Sequence, residues 1–183
     1  MIKRSILALI FLLHWTPAFA NNAEITDRMQ GYWDAYSGTD FIAAAEYILP
    51  SDLELLKEEL LPLFLTAGQS SNPQVRAFAD HFFGDTDNGS RKDLSRTEVF
   101  ARLNQLVAAM SPQTFEILNS SSITVTEISM TDSEHGVVAY QVSIQGTTGE
   151  DFERVAKNNS KWYIRLKEAP STTAGKFRMI LGI

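Results

Sequence analysis

Val137-Val138-Ala139-Tyr140-Gln141-Val142-Ser143-Ile144, a turn at Gly146-Thr147-Thr148-Gly149, and a close on Lys161-Trp162-Tyr163-Ile164-Arg165-Leu166 form the stretch that decides the fold. Val138, Tyr140, Val142 and Ile144 share one face by the two-residue period of a strand, as do Trp162, Ile164 and Leu166. Gln141, Ser143, Lys161 and Arg165 take the other face. One dry and one wet face is the pattern of an antiparallel sheet covered by helices on one side. Upstream, Ile123 and Val125 lie on one phase and Ile128 and Met130 on the other, which predicts a bulge near Glu127. Asp132 to Gly136 and Asn158 to Ser160 supply further turns.

The cover comes from the residues before the sheet. Ile25, Met29, Tyr32, Trp33 and Tyr36 recur at helical spacing up to Gly38. Asp40 can cap a second helix carrying Phe41, Ala44, Ala45 and Ile48. Ser51 and Glu54 have capping-box spacing ahead of Leu53, Leu56, Leu60 and Phe64, with Pro62 set to kink or split that helix. Asn72-Pro73 opens a helix through Phe82 that ends at Gly84, and Ser95 with Glu98 opens one through Met110. Ser111-Pro112 starts a short helix through Leu118. The fold class expected is α+β: N-terminal helices packed on a curved C-terminal antiparallel sheet of about four strands. Residues 21–167 are read as a single domain and residues 168–183 as a tail. In that tail Phe177, Met179, Leu181 and Ile183 alternate with Lys176, Arg178 and Gly182, so an added edge strand is expected, with a short docked helix as the alternative.

Residues 1–20 read as a secretory signal peptide: Lys3 and Arg4, an apolar run from Ile6 to Leu13, then Ala18-Phe19-Ala20 before Asn21. The run is far shorter than the ~20 residues that span a bilayer, so no membrane span is expected. The protein is then exported and soluble, in a bacterial periplasm or otherwise secreted. Removing those residues takes the net charge from -6 to −8. An acidic chain without a Lys/Arg cluster argues against nucleic acid as a partner. The absence of cysteine excludes disulfides, thiol catalysis and thiolate metal sites.

Local motifs do not carry chemistry. From Asp85 an EF-hand loop would need glycine at position six and glutamate at twelve, where Ser90 and Arg96 stand. His81 and Asp85 sit four apart beside Asp80, but Gly84 breaks the helix between them, and His135 lies in a turn. Neither a metal site nor a cofactor is expected. No nucleophile elbow and no phosphate loop is present. Asn88-Gly89-Ser90, Asn119-Ser120-Ser121 and Asn158-Asn159-Ser160 match the glycosylation acceptor but read as turn chemistry.

Val137 to Ile144, Arg154-Val155-Ala156-Lys157 and Asn158 to Leu166, about a quarter of the chain, resemble the nuclear-transport-factor and ketosteroid-isomerase superfamily. The resemblance implies a curved sheet wrapping helices into a cone. Its isomerases and dehydratases use a carboxylate base projecting into the cone, assisted by tyrosine or acid donors. Val138, Tyr140, Val142, Ile144, Trp162, Ile164 and Leu166, placed inward here, include no carboxylate. The favoured expectation is therefore non-catalytic: a module binding an apolar small molecule or a protein partner, with Tyr32, Trp33, Tyr36, Tyr140 and Trp162 as its wall. The alternative is a small isomerase or dehydratase using Glu127 as base, with Tyr32 or Tyr140. A third reading is a homodimer formed through the sheet.

Overall fold

A computed structural model describes the backbone of residues 16–183 and the side chains of residues 21–183. The basic start, the apolar run and the Ala18-Phe19-Ala20 site lie outside the residues whose side chains are described. Among the described residues seven α-helices precede and follow one sheet: α1 Thr16–Ser37, α2 Phe41–Ala45, α3 Pro50–Gly68, α4 Pro73–Phe83, α5 Arg96–Met110, α6 Pro112–Asn119 and, after the strands, α7 Pro170–Leu181. Strands β1 Ser122–Met130, β2 His135–Ile144, β3 Thr147–Asn158 and β4 Lys161–Ile164 pair antiparallel in the order of the chain. The architecture is α+β, as the stretch from Val137 to Leu166 implies.

The caps show why most helices begin where they do. Asp40 accepts from the Ala43 amide, Asn72 accepts from the Gln74 amide, and Ser95 with Glu98 closes a full capping box. The box expected at Ser51 and Glu54 does not form. Pro50 takes the first turn of α3 instead, because Leu49 is held to the sheet, its amide donating to the Ile164 carbonyl at 2.8 Å. Pro62 does not split α3, which runs unbroken; Thr66 Oγ1 donates to the Pro62 carbonyl at 2.9 Å.

The hairpins set the register. Gln145 and Gly146 both have positive φ, so the turn is two residues long and Thr147 already pairs with Ile144. This is tighter than the Gly146 to Gly149 turn expected from the glycines. Asn159 and Ser160, also at positive φ, join Asn158 to Lys161. The β1–β2 register shifts between Val125 and Glu127, the bulge expected there.

The core lies between the inner sheet face and the helices. Trp162 and Val138 are fully buried and Ile164 nearly so, with Leu60, Phe64, Phe82 and Phe83 opposite. The Phe64 and Phe82 rings stack at 3.9 Å. Helix α1 touches both β1 and β4, and so crosses the inner face.

The outer edge of β4 is sealed. Glu24 accepts from the Trp162 amide at 3.0 Å and Arg28 donates to the Trp162 carbonyl at 2.8 Å. Ile164 exchanges hydrogen bonds with Tyr47 and Leu49, and Asp52 accepts from the Leu166 amide at 3.1 Å. No strand borders β1 on its outer side among the described residues.

The tail corrects the sequence reading. Pro170 to Leu181 is a helix, not an added strand, and it docks on α3 through Ala174, Phe177 and Leu181. Proline at its first turn favours that start, and Ala174, Phe177 and Leu181 share one helical face. Among the described residues no helix is long and apolar enough to cross a membrane, and no cluster of histidine and acid side chains could hold a metal ion. His81 is exposed at the end of α4, and Asp80 pairs with Arg91 at 3.0 Å.

Candidate functional site

Residues paired across an antiparallel ladder share a face. Val138 pairs with Glu153 and Tyr140 with Asp151. Val138 and Tyr140 are buried, so Asp151 and Glu153 lie on that inner face, while Glu150, paired with Gln141, takes the other. The sequence reading placed no carboxylate inward, and Glu153 overturns that. The signal was present in the alternation Asp151, Glu153, Val155 and Lys157. Val155 is 2% exposed, whereas Phe152, which catches the eye as the apolar residue, is 57% exposed.

Glu127 faces the opposite way. It sits just past the bulge on β1, exposed, where its Oε1 accepts from Ser129 Oγ at 2.7 Å. The bulge that was to turn it inward leaves it in solvent, so Glu127 is not a candidate base.

The Glu153 side chain is 13% exposed. Tyr140 donates its hydroxyl to Glu153 Oε1 at 3.4 Å. Burial pushes the Glu153 carboxyl up to about 7, against a smaller lowering from the Lys167 ammonium and with a further push from Asp151. At Asp151 partial burial acts upward too. Hydrogen bonds from Lys167 and the Phe152 amide, with the charge of Lys167, outweigh it, and the carboxyl ends below its ordinary range. Two carboxyls on one strand face are thus driven apart, one ionised and one poised to gain or lose a proton near neutrality. Burial, with the charge on Glu153, also holds the Tyr140 hydroxyl well above its ordinary range. The hydroxyl stays a donor throughout.

Helix α1 contributes the facing wall. Burial raises Tyr32 first, and Tyr36, Glu153 and Tyr140 add to the rise, which places its phenol within the field of the same cluster. The Tyr32 and Tyr36 rings lie 5.5 Å apart, and Trp33 meets Tyr140 at 6.2 Å. Trp33 Nε1 is buried without a hydrogen-bond partner. An indole nitrogen can only donate, and a buried donor left unmade costs about 1–3 kcal/mol. Tyr36 turns away: its hydroxyl donates to Asn104 Oδ1 at 3.0 Å and its ring packs with Phe41 and Phe115.

Of the five expected wall residues, Tyr32, Trp33 and Tyr140 come together, and Tyr36 borders them. Trp162 does not join. It is fully buried and pairs with Lys157, six residues along β3 from Asp151, about 20 Å at the rise of a strand. Its role is in the core.

A separate cavity of about 350 Å³ lies between α3, the end of β4 and the start of α7, lined by Asp52, Leu55, Arg154, Arg165, Glu168 and Pro170 among others. Its carboxylates are engaged: Asp52 takes Arg165 through two bonds of 2.9 and 3.2 Å, and Glu168 takes Lys176 at 2.6 Å. That pairing gives the cavity a structural character.

No family model matches the chain, and neither a curated protein nor a solved structure matches it.

Proposed function

We propose that the inner face beneath α1 is a proton-transfer site, in which Glu153 acts as general acid and base toward a small neutral molecule bearing a carbonyl oxygen. The observation that supports this is an inward carboxyl pushed up to about 7 within reach of the Tyr140 hydroxyl. A base poised near the working pH combines the right protonation state with driving force for transfer. Beside the Asp151 carboxylate, which Lys167 engages, the cluster offers Tyr32, Tyr140 and Trp33, all donors at neutral pH. Burial and the Glu153 charge keep both phenols protonated, and the same conditions disfavour an anionic ligand. The preference for a non-catalytic module rested on the lack of an inward carboxylate, and that premise is gone. The reading agrees with the resemblance to the isomerase and dehydratase superfamily, with Glu153 in place of Glu127. Export from the cytoplasm, with a mature chain beginning at Asn21, belongs to the same proposal; such cleavage keeps the Glu24 and Arg28 contacts to β4.

The test follows exchange of the α-protons of a cyclic ketone in deuterated buffer by proton NMR. Glu153→Gln should slow enzyme-dependent exchange by about 10²–10⁴-fold, the usual range for general base catalysis. Exchange unchanged in Glu153→Gln, or unchanged in the presence of wild-type protein, removes the proposal.

The unpartnered Trp33 Nε1 favours a second reading, a non-catalytic binder of an apolar molecule with one acceptor oxygen. Under that reading Trp33→Phe weakens binding of 1-indanone while Glu153→Gln leaves it unchanged and no exchange occurs.

A further inference from the structure

Lys167 lies between β4 and α7, on a connector tied down on both sides of it. The Leu166 amide donates to Asp52 Oδ2 at 3.1 Å, and Arg154 donates to the Leu166 and Lys167 carbonyls at 3.3 and 3.5 Å. Glu168, the next residue, accepts from Thr173 Oγ1 at 3.1 Å and Lys176 Nζ at 2.6 Å. With the backbone so held, the Lys167 side chain reaches β3, where its ammonium lies 2.5 Å from Asp151 Oδ2 and 3.9 Å from Glu153 Oε1. The two carboxyls are therefore not served equally. One makes a direct charge-assisted hydrogen bond, the other only a longer-range attraction.

We propose that Lys167 is a positioning residue: by binding Asp151 and not Glu153 it fixes Asp151 as the standing anion and leaves Glu153 as the single carboxyl that exchanges a proton. The inference rests on the proton-transfer reading of the inner face. Without a cation, two acids on one strand face with Tyr140 between them would share protons, and their titrations would merge into steps belonging to the pair. The groups acting on Glu153 are Tyr140 from β2, Asp151 from its own strand, Tyr32 from α1, and the cations Lys167 and Arg154. Lys167 is the one that discriminates between the acids by distance. It lowers both carboxyls, Asp151 through a hydrogen bond and its charge and Glu153 through its charge.

The experiment is a carbon-detected NMR titration of the Glu153 and Asp151 side-chain carboxyls in the full chain, for wild type, Lys167→Met and Lys167→Arg. The Lys167 side chain is 57% exposed, so these variants should fold. In Lys167→Met the proton affinity of Asp151 should rise about tenfold, the low end expected for losing a neighbouring cation given its exposure, and both carboxyls should turn biphasic. Lys167→Arg should restore two separate single steps, which a purely structural role for the amine would not require. Unchanged midpoints in Lys167→Met, or a failure of Lys167→Arg to restore them, overturns the inference. A Glu153 midpoint at an ordinary glutamate value in wild type instead overturns the proton-transfer reading. The Asp151 response still decides, in that case, whether Lys167 fixes the anion.

Discussion

Replacing Glu153 by glutamine removes the charge of the site while keeping its shape, and the structure gives the size of the effect. Folding pushes this carboxyl from 4.5 up to about 7. A group that holds its proton more tightly in the folded state contributes stability that is fully present below the unfolded value and is lost as the pH rises through the folded one. The lost contribution is about 3 kcal/mol, at about 1.4 kcal/mol for each tenfold difference in proton affinity. With the side chain 13% exposed, solvent screening takes only part of this. Glutamine carries no charge at any pH and can still accept from Tyr140. Wild type and Glu153→Gln should therefore match within about 1 kcal/mol near pH 4, and the variant should be the more stable by about 3 kcal/mol near pH 8. Asp151 works in the opposite sense, because its lowered carboxyl adds stability above the acid range, but it is present in both proteins and largely cancels in the difference. Urea titrations at three pH values read the gap directly, provided the slopes agree. A gap that does not widen between the acid and alkaline ends would refute the burial of an ionisable carboxyl at this position.

Trp162→Ala should cost about 3–5 kcal/mol in a denaturant titration, whereas Tyr163→Ala, on the outer face and stacked on Arg28, should cost about 1 kcal/mol; equal costs would mean a wrong register. At Gly31 an added Cβ would stand 2.5 Å from the Tyr47 hydroxyl, so Gly31→Ala should destabilise by about 1–3 kcal/mol, with part of the loss recovered in a Tyr47→Ala background. Phe177→Ala should cost about 3 kcal/mol, because the ring is 7% exposed against Phe64; a neutral effect would show that α7 contributes nothing to the core. Arg165→Met should cost about 1–3 kcal/mol, as it strips the buried Asp52 of two of its three hydrogen bonds.

What the sequence made legible is what has a period or a cap. The alternation of Val138, Tyr140, Trp162 and Ile164 placed the inner face, and the change of phase between Val125 and Ile128 placed the bulge. Asp40, Asn72 and the Ser95 and Glu98 box marked helix starts because each side chain satisfies an amide of its own first turn. The start of α3 was not legible in this way, since the partner of Leu49 lies more than a hundred residues away. Helix α7 shows the ambiguity of short apolar runs: Phe177 and Leu181 fit a strand's alternation and a helix's four-residue step equally well. The hardest loss was Glu153. Any turn of even length after Ile144 pairs even-numbered inward positions of β2 with odd-numbered positions of β3, and so brings Asp151 and Glu153 to the dry face. The apolar content of β3 hides this, because Phe152 and Ala156 belong to the outer phase. What no alternation reveals is the pairing of Lys167 with one acid and not the other, which depends on a connector fixed by Asp52, Arg154 and Lys176.

The sealed border of β4 has a consequence for assembly. Side chains and backbone from α1, the α2–α3 connector and α3 take up the hydrogen-bonding groups on that border, so a second chain finds nothing there to add to. Among the described residues, the sheet border that no strand covers is β1 on one side and, on the other, the part of β3 from Thr147 to Glu153 that runs past the short β4. An added strand from a second chain is directed to those two stretches and away from β4.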